Sequence, residues 1–296
     1  MLALFGPTAV GKTDVAIAVA ERLRERGDDP VAVSADALQV YRGLETLTGV
    51  ATPEQQRRLE HRLVSILPVH ATFSVAEFAR RAHAEIDGLL AQGRTPIVVG
   101  GTGLYLRAAL ADLELRPPPR AGVRERLMAE VDHAGPEAVH AALAVRAPAV
   151  AAGIDPRDRH RLVRALELEE QGVSAAPRPE SRLWAADTRR PTRLIALTMD
   201  RGALHARIDA RVEAMVAAGA ADEVRAADAA GASATARKAL GFDALLRGDV
   251  DAMKTATRRY ARRQLTWLRK LPGVELVDLT DRDPEDVARD LRGEII

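Results

Sequence analysis

Gly6, Pro7, Thr8, Ala9, Val10, Gly11, Lys12 and Thr13 fit the pattern G-x-x-x-x-G-K-[ST] in full. Apolar residues precede them and a helical pattern follows, the strand–loop–helix setting in which such a loop binds phosphate. Backbone N–H groups of the loop point inward, and the helix N-terminus adds positive potential, so a diphosphate is cradled there. Lys12 adds a point charge, and the Thr13 hydroxyl suits Mg2+. A motor ATPase or a GTPase also needs a carboxylate ending a neighbouring strand, to orient its metal. The best central strand, 97–99, runs instead into Gly100, Gly101, Thr102 and Gly103, which let a substrate backbone or base come close. The strand at 31–34 does lead to a carboxylate, Asp36, at the sheet edge where ligands of open parallel sheets sit. Its position leaves three roles open: a metal carboxylate, a general base, or the N-cap of a helix over 37–41.

These residues need a scaffold, and the sequence outlines one. Five short apolar runs, at 2–5, 31–34, 97–99, 194–198 and 275–279, read as buried parallel strands. Amphipathic stretches at 14–26, closed by Gly27, and at 75–90, ending near Gly93, lie between them. This alternation predicts an α/β fold, a P-loop NTPase-like parallel sheet with right-handed crossovers. From 113 to 189 only helical periodicity remains, with Pro117, Pro118 and Pro119 marking an exit and Pro177, Pro179 and Pro191 a return. The predicted organisation is a core of 1–112 and 190–296, with C-terminal helices, interrupted by a helical insertion at 113–189. Residues 203–271 read as mostly helical, with breaks at Gly219, Gly231 and Gly248.

Composition excludes several classes. The 296 residues are 47% apolar and 29% charged, enough for folding to bury roughly three quarters of the unfolded surface. With no cysteine there are no disulfides, thiolate zinc sites, iron–sulfur clusters or cysteine nucleophiles. No apolar run approaches the roughly 18 residues of a membrane span, and Met1 to Phe5 leave no room for a signal peptide before Gly6. A soluble cytoplasmic protein is expected. Lys+Arg of 43 against Asp+Glu of 42 is neutral about partners, but only Lys12, Lys238, Lys254 and Lys270 are lysines. Arginine excess is either the imprint of a GC-rich genome or selection for phosphate binding, so local clustering decides. On a helix over 258–270, Arg259, Arg262, Arg263, Thr266 and Lys270 fall on one side, and Ala261, Leu265 and Leu268 on the other. No acid interrupts the sequence from Thr255 to Lys270, a stripe suited to a phosphate backbone.

Taken together, GPTAVGKT (6–13), SADALQVY (34–41), FSVAEF (73–78), GGTGLY (100–105), RLVRALEL (161–168), RIDARV (207–212) and RRQLTWLR (262–269) resemble the tRNA dimethylallyltransferase (isopentenyltransferase) family over nearly the whole chain. The resemblance implies a P-loop core with a helical insertion that grips the tRNA anticodon stem-loop. It implies a prenyl transfer from dimethylallyl diphosphate to N6 of the adenosine 3′ of the anticodon, with Mg2+ and release of diphosphate. In that reading Asp36 is the base, while Thr8 and Arg211 join the loop 6–13 around the diphosphate. Asp36, Ala37, Leu38, Gln39 and Thr102 meet the flipped adenosine. Arg124, His160, Arg161, Leu162, Val163 and Arg164 face tRNA from the insertion, and Arg259, Arg262 and Arg263 join them. Ala37, Ser65, Phe73 and the loop 43–50 depart from the family pattern. Two other classes fit parts of the sequence. A P-loop small-molecule kinase would use Lys12 on a γ-phosphate and Asp36 on an acceptor alcohol, leaving the basic stripe idle. A catalytically degenerate tRNA-binding protein would account for Ala37 and the altered loop. A monomer is expected.

Overall fold

The structure is a computed structural model that describes residues 1–120, 122–176 and 182–291. Its sheet has six strands, β1 (Leu2–Phe5), β2 (Pro30–Ser34), β3 (His61–Arg62), β4 (Thr95–Gly100), β5 (Arg193–Thr198) and β6 (Val274–Asp278). They lie in the order β3-β2-β4-β1-β5-β6, and every pair is parallel. β1 and β2 are buried at every residue, because helices cover both faces and no polar face is needed. The sequence reading missed β3, whose two polar residues give no apolar run. It also took the last strand as buried, yet β6 is the sheet edge and leaves Glu275, Leu276 and Asp278 exposed.

Packing explains the helices. The Lys12–Arg24 helix buries Val15 to Ala20 and Leu23 in a core shared with Leu4, Ile97, Ile195, Leu204 and Val287. The Val75–Ala91 helix starts where the Ser74 hydroxyl accepts the Glu77 N–H at 3.1 Å. It buries Phe78, Ala82, Ile86 and Leu89, a stripe at helical spacing. The Arg201–Ala217 helix, capped by Asp200, buries Leu204, Ile208 and Val212 at four-residue intervals.

The chain forms two compact units, residues 1–113 with 182–296, and 114–181. The smaller unit is all helix, and its core holds Leu127, Val131, Leu143, Val150, Leu162, Val163 and Leu166. Its C-terminal boundary lies before the 189 expected from sequence. Arg189 and Arg190 instead pair with Asp87 of the Val75–Ala91 helix, and the Arg189 N–H donates to the Leu110 carbonyl. Pro177 and Pro179, taken as marks of the return, lie outside the described residues.

Candidate active site

β1, β2 and β4 are adjacent and parallel, so their C-terminal ends open on one edge of the sheet. β1 leads into the loop 6–13, where Ala9 (φ 65) and Gly11 (φ 105) adopt the left-handed backbone from which anion-binding concavities are built. Lys12 folds over the loop, and its Nζ donates to the carbonyls of Gly6 at 3.0 Å and Pro7 at 2.9 Å. Burial and the neighbouring Arg211 push its ammonium down to about 7, against the opposing pull of Asp36. Thr13 follows, half-buried, in the first turn of the helix.

The residues after β2 do not form the helix that Asp36 could have capped. They turn sharply, with Asp36 Oδ1 accepting the N–H groups of Leu38 at 2.8 Å and Gln39 at 3.3 Å. That leaves Oδ2 uncommitted, and the charge is felt across the crevice. It pulls Lys12 and Arg211 upward and helps burial to push the Tyr105 and Tyr260 hydroxyls up to about 12. Arg211 is itself held below its ordinary value, chiefly by burial, with Arg207 adding to the effect and Asp14 and Asp36 opposing it. Its guanidinium packs against Gly49, where any side chain would collide with it. The loop 43–50 is well anchored. Gln39 Nε2 donates to the Gly49 carbonyl at 3.1 Å, and the Glu223 carboxylate accepts the N–H groups of Thr46 and Leu47 at 2.9 and 3.0 Å. Phe73 is buried edge-on to Phe78 at 6.4 Å.

The Val250–Leu268 helix closes the site. Its Tyr260 hydroxyl meets Thr102 Oγ1 at 2.8 Å, and Gln264 links the loops after β1 and β4. Sequence reasoning missed both residues, placing Leu265 on the inner side. Leu265 is half-buried, and the fully packed stripe is Met253, Thr257, Ala261, Gln264 and Leu268. The four- and three-residue steps through Thr257 and Gln264 were the available signal, obscured by their polar types. On the outer face Arg259, Arg262, Arg263, Thr266 and Lys270 are exposed. Among the described residues none of these four arginines and lysines has a carboxylate partner. Lys270 lies over the Trp184 ring at 5.3 Å and Arg263 over the Tyr260 ring at 5.7 Å.

In the helical unit the expected RNA-facing run divides. Leu162 and Val163 are core residues, so their side chains pack and touch no partner. His160 and Arg161 are exposed. Arg124 donates to the Glu167 carboxylate at 2.5 and 2.9 Å, and Arg164 donates to it at 2.9 Å. Glu167 is fully buried; burial raises its pKa, but the two arginines outweigh this and hold the carboxyl below the ordinary range.

A parallel sheet with the G-x-x-x-x-G-K-[ST] loop after β1 and a carboxylate-bearing turn after β2 defines a P-loop-like α/β protein. The family model described as IPP transferase matches residues 39–271. The chain is 43% identical to a tRNA dimethylallyltransferase of Kineococcus radiotolerans, over 98% of this chain and 94% of that protein. It is 42% identical to one of Thermobifida fusca, over 95% and 92%. In fold it is similar to the full-length tRNA isopentenylpyrophosphate transferase of Bacillus halodurans, with TM-score 0.68, 33% identity and coverage of 98% and 93%. It also has the fold of a eukaryotic dimethylallyltransferase captured acting on tRNA, with TM-score 0.74, 21% identity and coverage of 95% and 74%. The chain belongs to the IPP transferase family.

Proposed function

We propose that this protein transfers the dimethylallyl group of dimethylallyl diphosphate to N6 of the adenosine 3′ of the tRNA anticodon, releasing diphosphate. The observation that carries the reading is a shared crevice. The Asp36 carboxylate acts electrostatically on Lys12 and Arg211, so a base and a diphosphate cradle face one another. The N6 amine is a poor nucleophile, because its lone pair is delocalised into the purine. Asp36 accepts its proton as the new C–N bond forms. Negative charge grows on the leaving diphosphate, so the loop N–H groups, Thr8, Lys12 and Arg211 stabilise the transition state more than the ground state. Lys12 leaves the carbonyls of Gly6 and Pro7 when a better acceptor arrives. Tyr105 and Tyr260, with hydroxyls pushed up to about 12, stay protonated at neutral pH and serve as donors beside the base.

No cluster of three or more His, Asp or Glu suited to a metal occurs among the described residues. The hard oxygen of Thr13, beside the cradle, fits Mg2+ held mainly by the diphosphate and water. When bound, the ion neutralises charge on the diphosphate oxygens. The outer face of the Val250–Leu268 helix, with Arg259, Arg262 and Arg263, takes the RNA backbone. Ala37, Leu38, Gln39 and Thr102 line the flipped base. His160 and Arg161 give the helical unit its part in gripping the anticodon stem-loop, and Arg124 and Arg164 brace that unit through Glu167. No helix among the described residues is long and apolar enough to cross a membrane, and the protein acts as a cytoplasmic monomer.

The test offers two donors side by side. Dimethylallyl diphosphate with Mg2+ and unmodified tRNA is expected to yield free diphosphate and a five-carbon adduct seen by mass spectrometry, whereas ATP gives no transfer. Well-folded protein that binds tRNA and leaves no adduct would sink the reading. Rapid ATP turnover with a small acceptor would replace it with a kinase.

A further inference from the structure

The Val250–Leu268 helix has a second face that turns inward. Tyr260, Gln264 and Trp267, at intervals of four and three residues, each meet one residue of the loop after β4. The Tyr260 hydroxyl meets Thr102 at 2.8 Å, and Gln264 Nε2 donates to the Gly101 carbonyl at 2.9 Å. The Trp267 ring occupies the space beside Gly103 that a side chain would need. Gln264 alone reaches further, its Oε1 accepting the Thr8 N–H at 2.8 Å. One buried amide, 4% exposed, therefore ties the loop after β1 to the loop after β4. Only one orientation of that amide satisfies both partners, because Thr8 offers a donor and Gly101 an acceptor. Lys12 stands beside the bridge, its Nζ 3.4 Å from where a Gly101 side chain would begin. That same side chain would lie 2.3 Å from Gln264 Nε2, so the bridge requires glycine at 101.

We propose that Gln264 is a positioning residue for the diphosphate cradle. Its side-chain amide pins the Thr8 end of the loop against Gly101, so the inward N–H groups are set before the ligand arrives. A loop ordered in advance diverts none of the ligand's binding free energy to its own ordering. The inference rests on reading 6–13 as a diphosphate site, and it adds a residue from a distant helix to that site.

The experiment compares full-length wild type with Gln264→Met and Gln264→Glu. Calorimetry with inorganic pyrophosphate and Mg2+ is run beside binding of an anticodon stem-loop RNA and steady-state kinetics. Gln264→Met keeps the length of the side chain and removes both hydrogen bonds. Its pyrophosphate Kd is expected to rise about tenfold, the scale of one hydrogen bond to a binding loop. KM for dimethylallyl diphosphate should rise with it, while KM for tRNA and the RNA Kd stay within about twofold. Gln264→Glu keeps the acceptor for Thr8 but loses the donor to Gly101 and adds a charge beside the anion. Its deficit should shrink relative to wild type as pH falls and the new carboxyl gains a proton, restoring the donor. The recovery should appear in pyrophosphate affinity and not in RNA affinity; a parallel recovery in both marks a purely structural role, and this comparison decides the matter if Gln264→Met does not fold. Wild-type pyrophosphate affinity in both variants, or equal weakening for pyrophosphate and RNA, overturns the proposal. Failure of wild type to bind pyrophosphate overturns the diphosphate reading itself, and this proposal with it.

Discussion

Asp36 and Lys12 face each other with opposite demands on protons. Asp36→Asn preserves size and can still accept the N–H groups of Leu38 and Gln39 through its carbonyl oxygen. It cannot take a proton from the amine, so kcat is expected to fall by about two orders of magnitude or more with tRNA binding retained. Near-normal turnover would reduce Asp36 to a turn former. Lys12 gives a pH signature. With its ammonium pushed down to about 7 by burial and Arg211, it is mostly neutral near pH 8 in the free protein. A bound diphosphate restores the charge, because an anion raises the pKa of an adjacent ammonium. Binding of dimethylallyl diphosphate should then take up close to one proton at about pH 8 and much less near pH 6. Calorimetry in buffers of different ionisation heat reads this directly. The uptake should vanish in Lys12→Arg, whose guanidinium stays charged throughout. Uptake that persists in that variant would place the titrating group elsewhere.

At the scale of elements, two groups of arginines behave differently because their neighbours differ. Those on the outer face of the Val250–Leu268 helix have no carboxylate partner among the described residues, so their charge is available to an anion. The double variant Arg262→Ala, Arg263→Ala should weaken all tRNAs about equally. Each phosphate that a variant no longer neutralises should flatten the slope of log K against log salt by about 0.7 to 0.9. An unchanged slope would make this face merely solvated. Arg124 and Arg164, in contrast, are bound to Glu167, which has a structural part of its own. Glu167→Gln is expected to cost the helical unit about 1.5–3 kcal/mol near neutral pH, the range for hydrogen bonds to charged groups. A carboxylate held below its ordinary 4.5 stabilises the fold above that pH and ceases to do so as pH falls through the lowered value. The gap in Tm between wild type and variant should therefore close on acidification. A gap that is independent of pH would mean that shape, not charge, is what Glu167 supplies.

For the whole molecule, net charge says little. A formal +1 over 296 residues gives no general pull on RNA, and the proposed attraction is local, from an acid-free helix face. The proposed function assigns binding and chemistry to separate parts, the first to backbone contacts and the second to the crevice of Asp36 and Lys12. A tRNA with guanosine in place of the target adenosine keeps its phosphates but replaces the N6 amine with a carbonyl oxygen. It should bind within about threefold of the normal tRNA, since phosphate contacts carry no sequence information directly, and yield no adduct. Gel shift and mass spectrometry on the same samples check both halves. Loss of binding would mean that the flipped base contributes more than the backbone does.

The phosphate loop, the position of Asp36 and five of the six strands are legible in the chain alone, because each is a local matter. A glycine-rich turn, a carboxylate just past an apolar run and a buried parallel strand are all written within about ten residues. The arginine stripe is legible too, since helical period alone sorts Arg259, Arg262 and Arg263 onto one side. Whatever depends on partners distant in sequence emerges only when the chain is folded. Gln264 looks like one more polar residue in a basic helix until Thr8 and Gly101 are found within hydrogen-bond reach. Glu167 turns two arginines into structural partners, and burial takes Leu162 and Val163 out of the surface they were expected to share. Asp36 kept a helix N-cap among its three roles until the chain after it turned instead of forming a helix. Local pattern fixes which residues lie on one face. Only packing fixes what that face meets, and with it which polar groups are committed to the fold and which are left for a ligand.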